Sequence, residues 1–277
     1  MKSLRIIGAG FACGVALGAA VRAAAQAPEV AVRAVAEYTA VRPGTPFCVA
    51  VRLAIPEGWH IYWTNPGPGG LPTAMAWHLP AGVQAGPTDW PYPETDESAA
   101  DVTNVYRGTV VTFSTFQAQP DASGALRLTA DLSWGICKAV CIQQRRSVFV
   151  VLRAGPGAPD RSPGWSEMEA ARSRLPVRQP DAQFAATAHG ETVTLTAIGL
   201  KGGPPAGSWV TFFPARPGRK SAVAQVKEAG GGIAVTLPQF TTEGATPNRL
   251  DGVLVAAHAP GALPPVRAIA VDVAVMP

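Results

Sequence analysis

Leu126-Arg127-Leu128-Thr129-Ala130-Asp131-Leu132-Ser133-Trp134 decides the fold class. Leu126, Leu128, Ala130, Leu132 and Trp134 alternate with Arg127, Thr129, Asp131 and Ser133. On a helix the two sets would scatter around the whole circumference, whereas on a strand they separate cleanly onto two faces. The segment reads as a half-buried strand. Others resemble it: Phe47, Val49, Val51 and Leu53 alternate with Cys48, Ala50 and Arg52, and Thr109 to Phe116 and Ser147 to Leu152 are rich in Val, Phe and Thr. Beyond residue 178, strands are expected at Thr192–Ala197, Ser208–Phe213, Ile233–Leu237, Gly252–Ala256 and Ala268–Val275. Strands arriving every ten to twenty residues between Gly/Pro turns predict sandwiches rather than a parallel βαβ sheet.

Composition agrees. Of 277 residues, 47% are hydrophobic and 15% charged, too apolar for a disordered chain. The 29 glycines and 27 prolines have no three-residue period, which excludes collagen, and they leave few uninterrupted helical windows. One helix is expected after the Gly/Pro stretch Ala154–Pro163, with Ser162 as N-cap, Pro163 at the first helical position and Pro176 as its stop. The organisation predicted is an all-β chain: an immunoglobulin-like β-sandwich over 28–155, a linker with a short helix over 156–178, and a second, smaller β domain over 179–277.

Residues 1–25 read as a secretory signal peptide: Lys2 and Arg5, an apolar run from Ile6 to Ala20, then Ala23-Ala24-Ala25 as a cleavage site. The segment holds Lys2, Arg5 and Arg22 and no acid, so of the formal charge of +4 three units belong to it and the mature chain carries +1. That removes the electrostatic argument for a nucleic-acid partner. No later stretch is long and apolar enough to span a bilayer, so the mature chain is expected to be soluble and exported, without stable membrane insertion.

Export sets the redox context for Cys48, Cys137 and Cys141, an odd number in an oxidising compartment. Along a straight strand, positions four apart lie about 13 Å apart, but a disulfide needs Cα atoms within about 4.4–6.8 Å. If Cys137 and Cys141 pair, the chain must turn back through Lys138-Ala139-Val140. Such a bridge closes a loop worth only about 2 kcal/mol, whereas Cys48 to Cys141 would close one worth about 4.6 kcal/mol. A short bridge at a hairpin tip is suited to exchange, with Lys138 modestly favouring thiolate at Cys137; which cysteine is attacked first the sequence leaves open. A small structural clip is the alternative. A third reading is soft-metal binding by Cys137, Cys141 and Met75 or His78, although the two cysteines have no matching His-x-x-His. Nothing calls for a cofactor. Cys48, mid-strand, reads as a buried free thiol. In Gly58-Trp59-His60-Ile61-Tyr62-Trp63 the aromatics read as core and His60 has no evident partner carboxylate. Trp90-Pro91-Tyr92-Pro93 leads into an acidic loop, Glu94-Thr95-Asp96-Glu97, that ends near Tyr106.

Together these pieces resemble the periplasmic N-terminal domain of the thiol:disulfide interchange protein DsbD family, in its ScsB-like branch. Gly58-Trp59-His60-Ile61-Tyr62-Trp63, Asn65-Pro66-Gly67, Trp90-Pro91-Tyr92-Pro93, Tyr106-Arg107-Gly108 and the cysteine pair follow the family order. Trp134 with Cys137-Lys138-Ala139-Val140-Cys141-Ile142 fits the branch, except that Gln143 stands where the branch has proline. Phe212-Phe213-Pro214-Ala215 and Leu250-Asp251-Gly252-Val253-Leu254 resemble its second β domain. The resemblance implies that Cys137 and Cys141 exchange electrons, with Glu94–Tyr106 as a cap and Tyr106 as the shielding aromatic. It implies a membrane electron transporter of the CcdA or DsbD kind and thioredoxin-like proteins as separate partners, because the sequence contains neither such domain. Downstream, it implies a disulfide isomerase, a cytochrome c maturation factor or a copper-stress protein as substrate.

Overall fold

The computed structural model describes residues 28–97, 102–216, 219–238, 248–257 and 268–277. The expected signal peptide lies outside them. The first domain contains β1 (Ala31–Ala36), β2 (Ala40–Val41), β3 (Pro46–Ala54), β4 (His60–Tyr62), β5 (Ala74–His78), β6 (Val83–Asp89), β7 (Glu94–Asp96), β8 (Thr103–Tyr106), β9 (Thr109–Ala118), β10 (Gly124–Cys137) and β11 (Cys141–Ala154). A helix, α1 (Trp165–Arg172), precedes β12 (Gln183–His189), β13 (Thr192–Ile198), β14 (Trp209–Pro214), β15 (Ala222–Ala229), β16 (Gly232–Pro238), β17 (Arg249–Ala257) and β18 (Ile269–Met276).

Two sheets make the first domain a sandwich. One runs β1-β3-β9-β6, the other β2-β11-β10-β4-β8-β7, with β5 also on β10. The strand that decided the fold class, β10, behaves as its period requires. Leu126, Leu128, Ala130, Leu132, Trp134 and Ile136 are all buried between the sheets. It pairs along its full length with β11, from Gly124 opposite Ala154 to Cys137 opposite Cys141. Each strand is fourteen residues long, so an extended ladder leads straight to the cysteine pair.

Three local expectations change. First, β3 is buried on both faces, because α1 covers the outer one: Cys48 and Ala50 pack with Val111, Phe113 and Met168 of the helix. Second, the helix begins at Trp165 with Gly164 as N-cap and no side-chain cap. Ser162 is instead used upstream, where its hydroxyl donates to the Ala36 carbonyl at 2.5 Å and ties the incoming chain to β1. The helix also ends before Pro176, with Ser173 as C-cap. Third, the acidic run is not a free loop. Glu94–Asp96 pairs antiparallel with Thr103–Tyr106 as the sheet's outermost hairpin, with 98–101 outside the described residues.

The second domain closes into a barrel, β12-β13-β16-β15-β14-β17-β18, rather than a two-sheet sandwich. Closure removes the sheet edges that a second sandwich would have left open. Two of its strands carried no signal. Ala222, Ala224 and Val226 face inward on β15, and Ala185, Ala186 and Ala188 take three of the seven positions of β12, so small alanines dilute the β-branched and aromatic residues that mark a strand. Barrel residues Phe213, Val253, Val255 and Ala268 share one apolar cluster with Ile61, Trp63, Tyr106, Trp134 and Ile136 of the sandwich. The domains therefore meet behind the strands that end at the cysteines.

Candidate functional site

The site is built by strand parity. Ile136 of β10 pairs with Ile61 of β4, and Cys137 pairs with His60. In turn Ile61 pairs with Tyr106 of β8, and Tyr62 with Val105. Directly opposed residues share a face. One face thus carries Ile136, Ile61 and Tyr106 into the core, and the other carries Cys137, His60, Tyr62 and Val105 outward. Tyr62, Val105 and Cys137 form their own small buried cluster.

At the tip, Lys138-Ala139-Val140 reverses the chain and Cys137 is bridged to Cys141 with Cα atoms 4.1 Å apart. The two sulfurs sit in different surroundings. Cys137 is 2% exposed, whereas Cys141 is exposed. Of the two, Cys141 is the residue that reaches the surface. Lys138 and Val140 stand exposed beside it.

Tyr62 Oη lies 3.7 Å from Cys141 Sγ. With the bridge formed the sulfur carries no hydrogen, so the phenol is the donor. Burial first, and the nearby Asp96 second, push the Tyr62 hydroxyl above its ordinary pKa, which keeps that proton in place. The His60 ring meets Tyr62 edge to face, with centroids 5.4 Å apart. A carboxylate does face His60: Asp96 Oδ2 is 3.7 Å from its Nδ1 and also accepts from Arg107 at 2.5 Å. Burial lowers the His60 pKa, with Arg107 adding to the effect and Asp96 opposing it, so the ring is neutral at neutral pH.

The other candidates fall elsewhere. Tyr106 is on the core face, where its hydroxyl donates to the Pro91 carbonyl at 2.5 Å. Tyr62 occupies the position against the sulfur that the resemblance gave to Tyr106; one-residue parity on β8 makes the difference. Trp134 is buried in the same core and supports the hairpin from behind. Met75 pairs with Leu132 and His78 with Thr129, five and eight residues along β10 from Cys137. At about 3.3 Å per residue they stand roughly 16 and 26 Å away, and the soft-metal set is not brought together. His78 bonds Asp131 at 2.7 Å instead. Among the described residues no group of three or more His, Cys, Asp or Glu side chains is placed to hold a metal. Cys48 is a buried free thiol beneath the helix, its pKa raised by burial against the opposing influence of Arg172. Sequence reasoning missed Tyr62 and His60 as site residues. Their signal was the i, i+2 spacing that puts both on one strand face.

A family model described as the N-terminal part of the thiol:disulfide interchange protein DsbD matches residues 26–153. Among solved structures, the N-terminal periplasmic domain of ScsB from Proteus mirabilis matches with a TM-score of 0.54 at 18% identity, covering 87% of this chain and 92% of that one. At that identity the likeness shows the fold, and its coverage takes in both β domains. A variant of the major pilin subunit BcpA of Bacillus cereus covers 90% of this chain and 67% of its own, at 10% identity and a TM-score of 0.29. No curated protein sequence matches the chain.

Proposed function

We propose that the chain, whose residues 26–153 match the DsbD N-terminal family model, is a periplasmic thiol:disulfide exchange relay working through Cys137 and Cys141. The observation that carries the reading is the asymmetry of the bridge: one sulfur exposed at a hairpin tip, the other buried behind it, and a phenol donating to the exposed one.

Loading begins when a thiolate of a thioredoxin-like donor attacks Cys141 Sγ. The Cys137–Cys141 bond breaks, a mixed disulfide forms at Cys141, and Cys137 leaves as thiolate. The donor's second thiol then attacks its own sulfur in the mixed disulfide, so the donor departs oxidised and Cys141 departs reduced. Two electrons and two protons have entered the pair. In the forward step the Cys141 thiolate attacks a substrate disulfide. Cys137 resolves the mixed disulfide, which re-forms the bridge and releases the substrate with two thiols. Lys138 at the tip favours the thiolate form of either cysteine. A membrane electron transporter of the CcdA or DsbD kind keeps the donor reduced, and the substrate is an exported protein such as a disulfide isomerase, a cytochrome c maturation factor or a copper-stress protein.

The test is the reduction potential of the Cys137–Cys141 pair in the mature chain, equilibrated against glutathione, with Cys48→Ala as control. The relay requires a value in the range of exchange proteins, roughly −120 to −270 mV. A value below about −300 mV marks a structural bridge and leaves a non-catalytic scaffold module.

A further inference from the structure

The second β domain has no part in the exchange chemistry just described, yet its contacts converge on the elements that hold the cysteines. The barrel residues Phe213, Val253, Val255 and Ala268 belong to the same buried cluster as Trp63, Ile61 and Ile136. None joins the apolar cluster at the other end of the sandwich, around Phe47, Phe116 and Leu152. Trp63 and Phe213 meet edge to face with centroids 6.2 Å apart.

The polar link is more specific. Asn65 is 0% exposed. Its Nδ2 donates across the interface to two barrel-side carbonyls, Pro214 O at 2.7 Å and Arg219 O at 3.0 Å. Its Oδ1 accepts from Gly67 N at 3.0 Å, and its own carbonyl accepts from Asn104 Nδ2 at 2.9 Å. Asn65 therefore fastens the 64–73 loop to the barrel through its side-chain amide and to β8 through its backbone carbonyl. Buried amides satisfied at both ends are geometrically demanding, because each lost partner leaves a desolvated group unpaired.

That loop is what backs Tyr62. Gly70 has φ +100, and a Cβ added there would stand 2.5 Å from the Tyr62 ring, so bare backbone lies on the aromatic face. Thr73 Oγ1 donates to the Tyr62 carbonyl at 2.6 Å. Leu71 covers Gly135, two residues before Cys137, so closely that a Cβ at Gly135 would come within 2.9 Å of it. The route from barrel to sulfur is Pro214 and Arg219 carbonyls, Asn65, the Gly67–Thr73 backbone, the Tyr62 ring, and Cys141 Sγ.

We propose that the second β domain is a working part of the exchange site, with Asn65 as the positioning residue through which it holds Tyr62 against Cys141 Sγ. The proposal rests on the relay reading for its biological meaning. Its physical content concerns only the reactivity of the disulfide. The phenol stabilises negative charge that spreads over the sulfurs as a thiolate attacks, so any loosening of the loop that lets the ring drift slows the attack.

The experiment is a double-mutant cycle on the second-order rate of disulfide reduction by dithiothreitol, which needs no biological partner. Asn65→Asp keeps the acceptor for Gly67 N–H but turns an oxygen toward the two barrel carbonyls. Tyr62→Phe should slow reduction about tenfold, the size expected for one hydrogen bond to a charged group. Asn65→Asp alone should slow it about fivefold, and in the Tyr62→Phe background its effect should shrink below twofold. If Asn65→Asp does not fold, Asn65→Ser, which cannot span both carbonyls, takes its place in the cycle. A folded Asn65 variant with an unchanged rate overturns the proposal. So does an Asn65 effect equally large without the phenol, because a merely structural loss of stability would not depend on Tyr62. The relay reading fails separately, on the reduction potential.

Discussion

Reducing the Cys137–Cys141 bridge should leave the protein folded, and the structure bounds the cost. The bridge closes a sequence separation of four. For a loop of about five residues the chain-entropy estimate is about 2 kcal/mol. For a chain of this size, at about 2–4 °C per kcal/mol, that becomes a loss of about 4–8 °C in Tm. The same 2 kcal/mol lowers the reduction potential by about 40 mV relative to the unfolded chain, too little to remove the pair from the exchange range. Nothing else in the domain depends on the bridge, because β10 and β11 are paired from Gly124–Ala154 to the tip and their inner residues are buried. The assay is thermal and urea melting of oxidised and reduced protein in the Cys48→Ala background, with near-ultraviolet dichroism as a probe of Trp134 packing. A loss above about 5 kcal/mol, the upper end for native bridges, would refute the reasoning. A relay that unfolds in half of its cycle does not relay.

Single-cysteine variants should differ sharply in reactivity. With Cys137→Ala the remaining Cys141 should react with a bulky aromatic disulfide reagent at least about a hundredfold faster than Cys137 does in Cys141→Ala, because Cys137 is 2% exposed; equal rates would show that the tip opens freely. Cys48 should be silent towards the same reagent until the protein unfolds, since burial raises its pKa and the helix covers it. Its labelling should therefore track urea unfolding, and fast labelling of native protein would contradict the packing of α1. His60 supplies a pH dependence with a definite sign. Its folded pKa lies below the unfolded 6.5, chiefly through burial, so the unfolded chain binds the proton more readily. Stability should fall as pH drops through about 6.5 and level off below the folded value, and His60→Gln should flatten that slope. An unchanged slope would remove His60 as its source.

Local pattern carried the inner and outer assignment of β10 and its neighbours, because alternation depends only on the strand's own two-residue period. It carried the turn at Lys138-Ala139-Val140 too, since two cysteines four apart are bridged only if the chain reverses between them. Pairing between distant strands has no such local record. Whether Tyr106 faces the core or the disulfide depends on which residue of β4 it opposes, and a shift of one residue exchanges the two faces. The carboxylate opposite His60 comes from Asp96 on a hairpin more than thirty residues away, and nothing in either segment announces the other. Cys48, expected to be a buried thiol, is covered by a helix over a hundred residues downstream, and no local pattern identifies that helix as its cover.

The barrel shows the same division. Alanine-rich β12 and β15 carry only a weak intrinsic strand signal, and pairing within the closed barrel satisfies their backbone groups. Asn65-Pro66-Gly67 is legible in the sequence as a turn, and only the tertiary structure makes its asparagine a bond between two domains. By itself the sequence determined an all-β chain with a cysteine pair at a turn, because those properties follow from period, composition and spacing along one segment. Which sulfur is exposed, which tyrosine touches it, and what the second domain grips were decided by the tertiary structure alone, because each depends on the register and burial of residues brought together from far apart in the chain.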